Sequence, residues 1–343
     1  MKYSDKYSYN PDFDRVSATL FRSKKAKCPP IMELWAHESF KEEYLGRPCV
    51  SADDEVEFFL GMHMDYVPYN MEWGRALARL KQRDYGKMYS FGSTDVECEF
   101  QTLEDVYGFD WPKAEDYDLT LLHDIERSMP EGMKHICVGG YIFAEAWMLM
   151  GFENFAMSVA VEPEIPAAIM NELGRFRYES FLRIIDMEKL GALWYDDDIA
   201  HSTGTMVKPD FLREHHFPWM KKIADLAKSK GIPFIYHSDG MLTDVIPDLI
   251  ELGVDALQPI EPAAMDIFEL MALYKDKLTF VGNMDLDTIV QGSLEDIEGM
   301  VAQRLPKLKE LGYYAPGTSN TIPSWMLVEK YLFFRDCCEK YGC

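Results

Sequence analysis

Short apolar runs, each followed by a polar or glycine-containing segment and then by a helical pattern, recur along the chain. This alternation is typical of β-α units on a parallel sheet. Eight runs have the length of a strand: PPIMELW (29–35), DYVPYN (65–70), HICVGG (135–140), ALWYDDD (192–198), PFIYHSDG (233–240), DALQPIEP (255–262), LTFVGNMD (278–285) and YYAPGTSN (313–320). Eight strand-helix units predict an α/β fold of the (β/α)8 TIM-barrel type. We predict a single domain over residues 1–343, with residues 1–28 as an N-terminal extension that packs on the barrel.

The helical stretches between these runs carry start and stop signals. The stretch KPDFLREHHFPWMKKIADLAKSKG (208–231) begins with Pro and Asp and ends with basic residues and Gly. Pro218 lies inside it and has no backbone N–H to donate. We therefore predict one helix here, kinked at Pro218.

Charge and cysteine content narrow the class of protein. The chain has a formal net charge of -23, which argues against a nucleic-acid partner because phosphate contacts need clustered Lys and Arg. No signal-peptide run is present, and no stretch approaches the roughly 20 apolar residues of a membrane helix. The seven cysteines include no C-x-x-C pair, which indicates reduced thiols rather than a disulfide framework. We expect a cytoplasmic protein with no membrane partner.

Polar side chains follow nearly every predicted strand. In a (β/α)8 barrel the catalytic groups stand at the C-terminal ends of the strands and in the loops after them. The residues at these positions are Glu33, Asn70, Gly139, Gly140, Asp196, Asp197, Asp198, His237, Asp239, Glu261, Asn283, Asp285, Thr318, Ser319 and Asn320. His237, in the segment IYHSDG, therefore belongs to the predicted site, although a hydrogen-bonded core histidine would show the same local pattern.

Residue type suggests a role for several of these groups. Carboxylates at a buried strand end can have raised pKa values and do acid-base work, whereas at a solvated strand end they would not. The predicted catalytic residues are Asp197, Asp198, Asp239 and Glu261. The predicted substrate-binding residues are Glu33, Tyr69, Trp73, Tyr141, Asn283, Asp285 and Ser319. The aromatic ones would form an apolar wall, and turn formation is the alternative role for Asn283 and Asp285.

Four segments of the chain resemble the uroporphyrinogen decarboxylase superfamily. They are FDRVSATLFRSKKAKCPPIMELW, YHSDGMLTDVIPDLIELGVDALQPIEP, FVGNMDLDTIVQGSLEDI and YYAPGTSNTIP. The resemblance extends over almost the whole length of the chain. It implies a TIM barrel with a cleft at its C-terminal face, and often a homodimer.

One branch of that superfamily decarboxylates porphyrinogens without a cofactor and holds the substrate carboxylates with an arginine-rich loop after the first strand. This chain reads MELWAHESFKEEYLGRP there, which is acidic and has no arginine cluster. A polycarboxylate would meet repulsion instead of bidentate guanidinium contacts. Porphyrinogen decarboxylation is therefore not expected.

The other branch consists of zinc-dependent methyltransferases that work with corrinoid proteins. Its thiol-activating members have His-x-Cys after the fifth strand and a further Cys after the eighth. Here His237 is kept, but Asp239 and Thr318 stand at the companion positions. The loss of both thiolates implies a harder site of nitrogen and oxygen ligands, suited to an oxygen-linked methyl donor.

Members that demethylate aryl methyl ethers have ligands in a register similar to that of His201, His216 and His237. The resemblance thus implies these three histidines as zinc ligands with one open position, and His215 is an alternative to His216. Asp197, Asp198 and Asp239 would orient them. The implied function is transfer of a methyl group from a small methoxy-type donor to a partner corrinoid protein. Two alternatives stay open: a cofactor-free decarboxylase or lyase that uses His237 or Asp239 as proton donor, and a non-catalytic small-molecule-binding barrel.

Overall fold

The computed structural model describes residues 9–71 and 100–343. Its main sheet consists of seven parallel strands in the order β1-β2-β3-β6-β7-β8-β9. The strands are β1 (Tyr66–Asn70), β2 (Lys134–Gly140), β3 (Leu190–Asp196), β4 (Ala200–His201), β5 (Gly204–Thr205), β6 (Phe234–His237), β7 (Ala256–Gln258), β8 (Thr279–Val281) and β9 (Tyr314–Ala315). The two strands β4 and β5 form a separate antiparallel hairpin. The fold is therefore α/β on a curled parallel sheet.

Helices alternate with the strands, as the sequence pattern predicts. The α-helices of the described residues are Phe13–Leu20, Glu38–Leu45, Ala52–Gly61, Leu103–Gly108, Thr120–Ser128, Phe143–Met150, Phe152–Val161, Glu164–Ile184, Pro209–His215, Phe217–Lys230, Ile246–Leu252, Ile267–Tyr274, Leu286–Gln291, Leu294–Leu311 and Val328–Gly342. Within the described ranges, no helix combines the length and the apolar character that a membrane crossing requires.

The stretch 208–231 is two helices instead of one kinked helix. The first ends at His215, the second begins at Phe217, and His216 stands between them. Pro218 explains the break, since its ring disfavours helical backbone before it and its missing N–H is harmless in the first turn of a new helix. The break turns the His216 side chain into the interior, where it is 0% exposed.

The first predicted strand, residues 29–35, is not a strand in the structure, so this prediction is wrong. Its backbone nevertheless bonds to the segment after β9, where Met32 N–H donates to Pro316 O at 2.8 Å. On its other side, Glu33 N–H donates to the hydroxyl of Tyr66 in β1, also at 2.8 Å. Pro29 and Pro30 have no N–H for a ladder, and the contact to β1 runs through a side chain. The observed parallel sheet thus has seven strands.

Residues 9–28 contact the end of the sheet opposite to the predicted site. Thr279, the first residue of β8, donates its hydroxyl to Thr19 O at 2.8 Å. Phe13 N–H donates to Gly132 O, also at 2.8 Å, two residues before β2. The C-terminal ends of the strands remain available for polar residues.

The strands themselves are buried on both faces, as parallel strands between helices are. All seven residues of β3 are buried, and Trp194 and Tyr195 are 0% exposed. A carboxylate at the end of such a strand is therefore removed from bulk water, which changes its pKa and its need for partners.

A disulfide joins the segment before the first predicted strand to the last residue of the sequence. It links Cys28 to Cys343, which are 315 residues apart in sequence. The prediction of reduced thiols is wrong for this pair. The thiols of Cys49, Cys137, Cys337 and Cys338 are free, and Cys98 lies outside the described residues.

Candidate functional site

Three neighbouring strands end in polar residues that stand side by side. Asp196 of β3 is paired in register with His237 of β6, and His237 is paired with Gln258 of β7. Paired residues of parallel strands point to the same side of the sheet. The register therefore gathers a carboxylate, an imidazole and an amide at the C-terminal edge, where the sequence analysis placed the site.

Carboxylates surround the outer nitrogen of His237. Its Nε2 lies 3.6 Å from Asp198 Oδ1, 3.8 Å from Asp196 Oδ1 and 4.0 Å from Asp239 Oδ1. One ligand atom each from Asp198, His237 and Asp239 lie within 4.8 Å of one another. The Asp198 side chain is 40% exposed, so this group of atoms is reachable from solvent.

One oxygen of this group, Asp239 Oδ1, indicates whether a metal ion would fit there. Asp239 Oδ1 is buried and has no hydrogen-bond partner. A buried oxygen without a partner costs free energy, and a cation held there would remove that cost. One imidazole nitrogen and two carboxylate oxygens are donors that Zn²⁺ accepts. The residues present thus fit a divalent cation.

Gln258 and Asn320 were not among the predicted site residues, yet they hold the cluster in place. His237 Nδ1 is hydrogen-bonded to Gln258 Oε1, and Gln258 Nε2 donates to Asn320 O at 2.8 Å. The Asn320 amide donates to Asp239 Oδ2 at 2.6 Å. Asn320 is the last residue of the eighth predicted strand, which was the available signal for it, whereas Gln258 lies inside the sixth predicted strand and gave no such signal. The signal was too general, because it does not say which strand ends are neighbours.

The turn after β6 places Asp239 beside Asp198. Asp239 N–H donates to Asp198 Oδ1 at 2.8 Å, and Gly240 N–H donates to Glu261 Oε2 at 3.1 Å. Gly240 has φ +83° and packs on the backbone of the β4 hairpin, where a Cβ would come within 2.7 Å of the Ala200 carbonyl. Glycine is required here both by conformation and by space. Glu261 thus supports the turn.

The cluster favours a positive charge at its centre. Burial alone would lower the pKa of His237, but the surrounding carboxylates of Asp196, Asp239 and Asp198 outweigh it and raise the pKa to about 9. Burial raises the pKa of Asp196 to about 7 and that of Asp239 to about 6. The carboxylates are close together and largely removed from water, so their negative charges repel one another. A bound cation or proton is therefore stabilised here.

Asp197 and His216 form a separate buried pair. The Asp197 carboxylate accepts the backbone N–H groups of Ile142, Phe143 and Ala144, each at 2.8 Å, and lies 2.9 Å from His216 Nε2. Both side chains are 0% exposed. Successive strand residues point to opposite faces, so Asp197 points away from the cluster that Asp196 and Asp198 join. Both residues are engaged in anchoring the helix Phe143–Met150.

The three histidines of the predicted ligand set are not brought together. His201 lies in the β4 hairpin, and its ring centre is 6.0 Å from that of Phe152. Neither His201 nor His216 joins His237 in a set of three ligand atoms among the residues that the structure describes. His215 lies against Phe211 with a ring-centre separation of 4.7 Å, and its side chain is 24% exposed. In place of the other histidines, Asp198 and Asp239 flank His237.

Of the predicted substrate-binding residues, Tyr141 is the one that contacts the cluster. It hydrogen-bonds to Asp196 and thereby lowers the pKa of that carboxyl group, against the larger effect of burial. Its own backbone N–H donates to Asp196 O at 2.8 Å. Tyr141 therefore lies at the edge of the site.

The other predicted substrate-binding residues form local hydrogen bonds. Asn283 Nδ2 donates to Ile260 O at 2.5 Å, Asp285 accepts from Thr288 N at 2.9 Å, and Ser319 Oγ accepts from Leu286 N at 3.0 Å. Glu33 is 0% exposed and accepts from Thr318 and Tyr331. Asp285 thus caps the helix Leu286–Gln291, while Asn283, Ser319 and Glu33 join segments that are distant in sequence. Trp73 lies outside the described residues.

A cavity of about 1140 Å³ opens beside β1 and is lined by Trp35, Tyr69, Trp111 and Tyr117, among others. The residues of the His237 cluster are not part of its wall. Glu38, Cys49 and Glu55 on this wall also come within 4.8 Å of one another. Lys41 already neutralises that group, since its Nζ lies 2.9 Å from Glu38 and 2.8 Å from Glu55. The His237 cluster remains the better cation site.

The sequence and the fold can be compared with known proteins. Residues 120–341, more than half of the chain, match the uroporphyrinogen decarboxylase (URO-D) family. No curated protein matches the sequence. A solved methyltransferase from Methanosarcina mazei has the same fold, with a TM-score of 0.70 at 12% identity over 97% of this chain and 100% of that chain. A DUF72 family protein from Enterococcus faecalis V583 reaches a TM-score of only 0.33 at 11% identity, over 79% and 96% of the two chains. The chain belongs to the uroporphyrinogen decarboxylase family.

Proposed function

We propose that this protein is a methyltransferase that moves a methyl group from a small, oxygen-linked donor to a partner corrinoid protein, with zinc as Lewis acid. The observation that carries the proposal is the group formed by Asp198, His237 and Asp239, whose ligand atoms lie within 4.8 Å of one another. The solved methyltransferase of the same fold supports the reaction class. The barrel would be completed by residues 29–36, which stand between the first and last strands.

The metal would be held by His237 Nε2 and by the carboxylates of Asp198 and Asp239. When bound, a zinc ion supplies a positive charge that polarises the oxygen from which the methyl group departs. The set contains no thiolate, which suits an oxygen-linked donor better than a thiol. His201 and His216 are not part of this proposal.

The remaining groups would orient the donor. When the methyl carbon leaves, its bond to oxygen breaks and the oxygen must gain a proton. Asp196 lies 3.8 Å from His237 Nε2 and outside the three-ligand set, which supports it as the carboxyl group that would give this proton. Tyr141 holds Asp196 and would form the adjoining wall.

A decarboxylase is the weaker candidate for the same site. Three carboxylates surround His237, and a substrate carboxylate would meet repulsion there. A methoxy group is uncharged and meets none.

Metal content tests the proposal first. The protein would be purified without chelators and its zinc measured by plasma mass spectrometry, for the wild type, for His237→Ala and for His123→Ala as an exposed control. We expect about one zinc per chain in the wild type and the control, and loss of it in His237→Ala. Absence of metal from the wild type after incubation with zinc would refute a zinc enzyme.

The reaction is tested with methoxy compounds and a corrinoid acceptor protein, in parallel with small carboxylic acids. Methyl transfer that requires zinc and the acceptor supports the proposal. Release of carbon dioxide without the acceptor would identify a decarboxylase. If the wild type binds a ligand without turnover, and His237→Ala binds it equally well, the protein is a binding protein.

A further inference from the structure

We infer that Gln258 and Asn320 form a positioning pair that fixes the tautomer of His237 and aims its Nε2 and Asp239 Oδ1 at one point. Neither residue belongs to the ligand set of the proposed function. The inference that this point holds zinc rests on that function, whereas the fixed tautomer does not.

The tautomer follows from the direction of two hydrogen bonds. The backbone oxygen of Asn320 can only accept, so the nitrogen of the Gln258 amide must face it, at 2.8 Å. The amide oxygen of Gln258 must then face His237 Nδ1, and an oxygen of this kind can only accept. Nδ1 therefore carries the hydrogen, and Nε2 is directed at the carboxylates.

The same Asn320 sets the second ligand. Its side-chain amide donates to Asp239 Oδ2 at 2.6 Å, which engages one carboxylate oxygen. The other oxygen, Oδ1, is the buried atom without a partner, 4.0 Å from His237 Nε2. Asn320 thus acts on both atoms that could bind a metal. Its backbone carbonyl fixes His237 Nε2 through Gln258, and its side-chain amide leaves Asp239 Oδ1 unengaged.

The two residues before Asn320 are held by hydrogen bonds to two different segments. Thr318 N–H and Oγ1 donate to the Glu33 carboxylate at 2.8 and 2.7 Å, and Ser319 N–H donates to Met284 O at 2.7 Å. Gln258 is 0% exposed and His237 4% exposed, so water does not compete for the bond between them. The buried Gln258 amide is therefore held in one orientation, whereas an exposed amide would rotate, and Asn320 is half-buried.

Nitrogen-15 NMR of the histidine rings in the metal-free protein tests the tautomer. The spectrum would be recorded at the alkaline end of a pH series, where the ring signals no longer change with pH, and the His237 signal assigned by its loss in His237→Gln. We expect a protonated Nδ1 and a bare Nε2 in the wild type. Gln258→Met removes the acceptor at similar volume and should shift the population towards Nε2–H. An unchanged tautomer in a folded Gln258→Met protein would overturn the inference.

Two further variants separate the effect of Gln258 on His237 from the effect of Asn320 on Asp239. Gln258→Glu keeps an acceptor for Nδ1–H and should keep the wild-type tautomer. This variant also provides the test if Gln258→Met does not fold. An Nε2–H tautomer in Gln258→Glu would count against the inference. Asn320→Ala keeps the backbone carbonyl, so the tautomer should persist while Asp239 loses its hydrogen bond.

Zinc affinity, measured by competition with a chelating dye, provides the second readout. We expect it to fall about 10- to 100-fold in Gln258→Met and in Asn320→Ala. Wild-type affinity in both variants would refute the positioning role. If the wild type itself bound no zinc, the proposed function would fail, and the NMR result would still decide the tautomer.

Discussion

Asp196, Asp197 and Asp198 are consecutive in sequence but serve two different surroundings. Side chains alternate along a strand, so the outer two face His237 and the middle one faces the helix Phe143–Met150. A run of like residues therefore has no single function. The alternation of β3 continues through Asp197 and Asp198, which follow the strand, and it decides which carboxylates can take part in chemistry.

Glu33 shows how burial alone changes a residue. Burial raises its pKa to about 7, although hydrogen bonds from Thr318 and Tyr331 act in the opposite direction. Between the unfolded pKa of about 4.3 and pH 7, the unfolded chain loses a proton that the folded chain keeps. Stability from this group is thus fully present at low pH and is lost as the pH rises through 7.

We expect Glu33→Gln to flatten the pH dependence of the unfolding free energy between about pH 4 and 7. A neutral amide can still accept from Thr318 N–H and Tyr331. Urea unfolding across this range is the measurement, with the exposed Glu131→Gln as control. An unchanged slope in Glu33→Gln would show that Glu33 is ionised throughout.

At the scale of elements, the Asp197 side chain caps the start of the helix Phe143–Met150. The carboxylate satisfies three backbone N–H groups at the helix start and fixes His216, which itself stands where two helices meet. The Asp197 side chain, just after β3, thereby connects the helix after β2 to His216, which stands between the helices Pro209–His215 and Phe217–Lys230. Such buried donors must be paired wherever water is excluded.

Asp197→Ala should therefore cost much more than the loss of an ordinary helix cap. We expect a loss of about 3 kcal/mol or more, because several buried groups lose their partner together. Asp266→Ala is the matched control: Asp266 is exposed and accepts Phe268 N–H at 2.7 Å, and its loss should cost about 1 kcal/mol. Urea unfolding of both variants gives the comparison, and equal losses would contradict the anchoring role.

At the scale of the whole molecule, a disulfide links Cys28 to Cys343, which are 315 residues apart in sequence. Lys309 Nζ adds contacts to Lys27 O and Gly342 O, both at 2.5 Å. The helix Val328–Gly342 also supplies Tyr331 to Glu33. A cross-link between distant residues restricts the unfolded chain and so favours the folded one.

We expect reduction of this disulfide to lower the unfolding free energy by about 2–4 kcal/mol. Urea unfolding with and without a reductant measures the effect. Cys343→Ser should be insensitive to reductant and match the reduced wild type, whereas Cys49→Ser should keep the full response. A wild type that does not respond to reductant would show that these thiols are free in solution.

The sequence alone determined the β-α alternation and the places of seven of the eight predicted strands, although five of these end two to five residues earlier in the structure. It also singled out the segment IYHSDG as the predicted centre of the site. These features are local, since hydrophobic period, helix signals and glycine turns act over a few residues. It also determined that His237 and Asp239 belong together, because they are two residues apart.

Only the tertiary structure decided which groups join them. Gln258 and Asn320 are 21 and 83 residues from His237 in sequence. Strand register brings Gln258 beside His237, and the loop after β9 brings Asn320 to Gln258 and Asp239. The same packing withdrew Asp197 and His216 into the interior and left residues 29–35 outside the ladder. Sequence period fixes the face on which a side chain stands, whereas its neighbours depend on which strands pair and on where water is excluded.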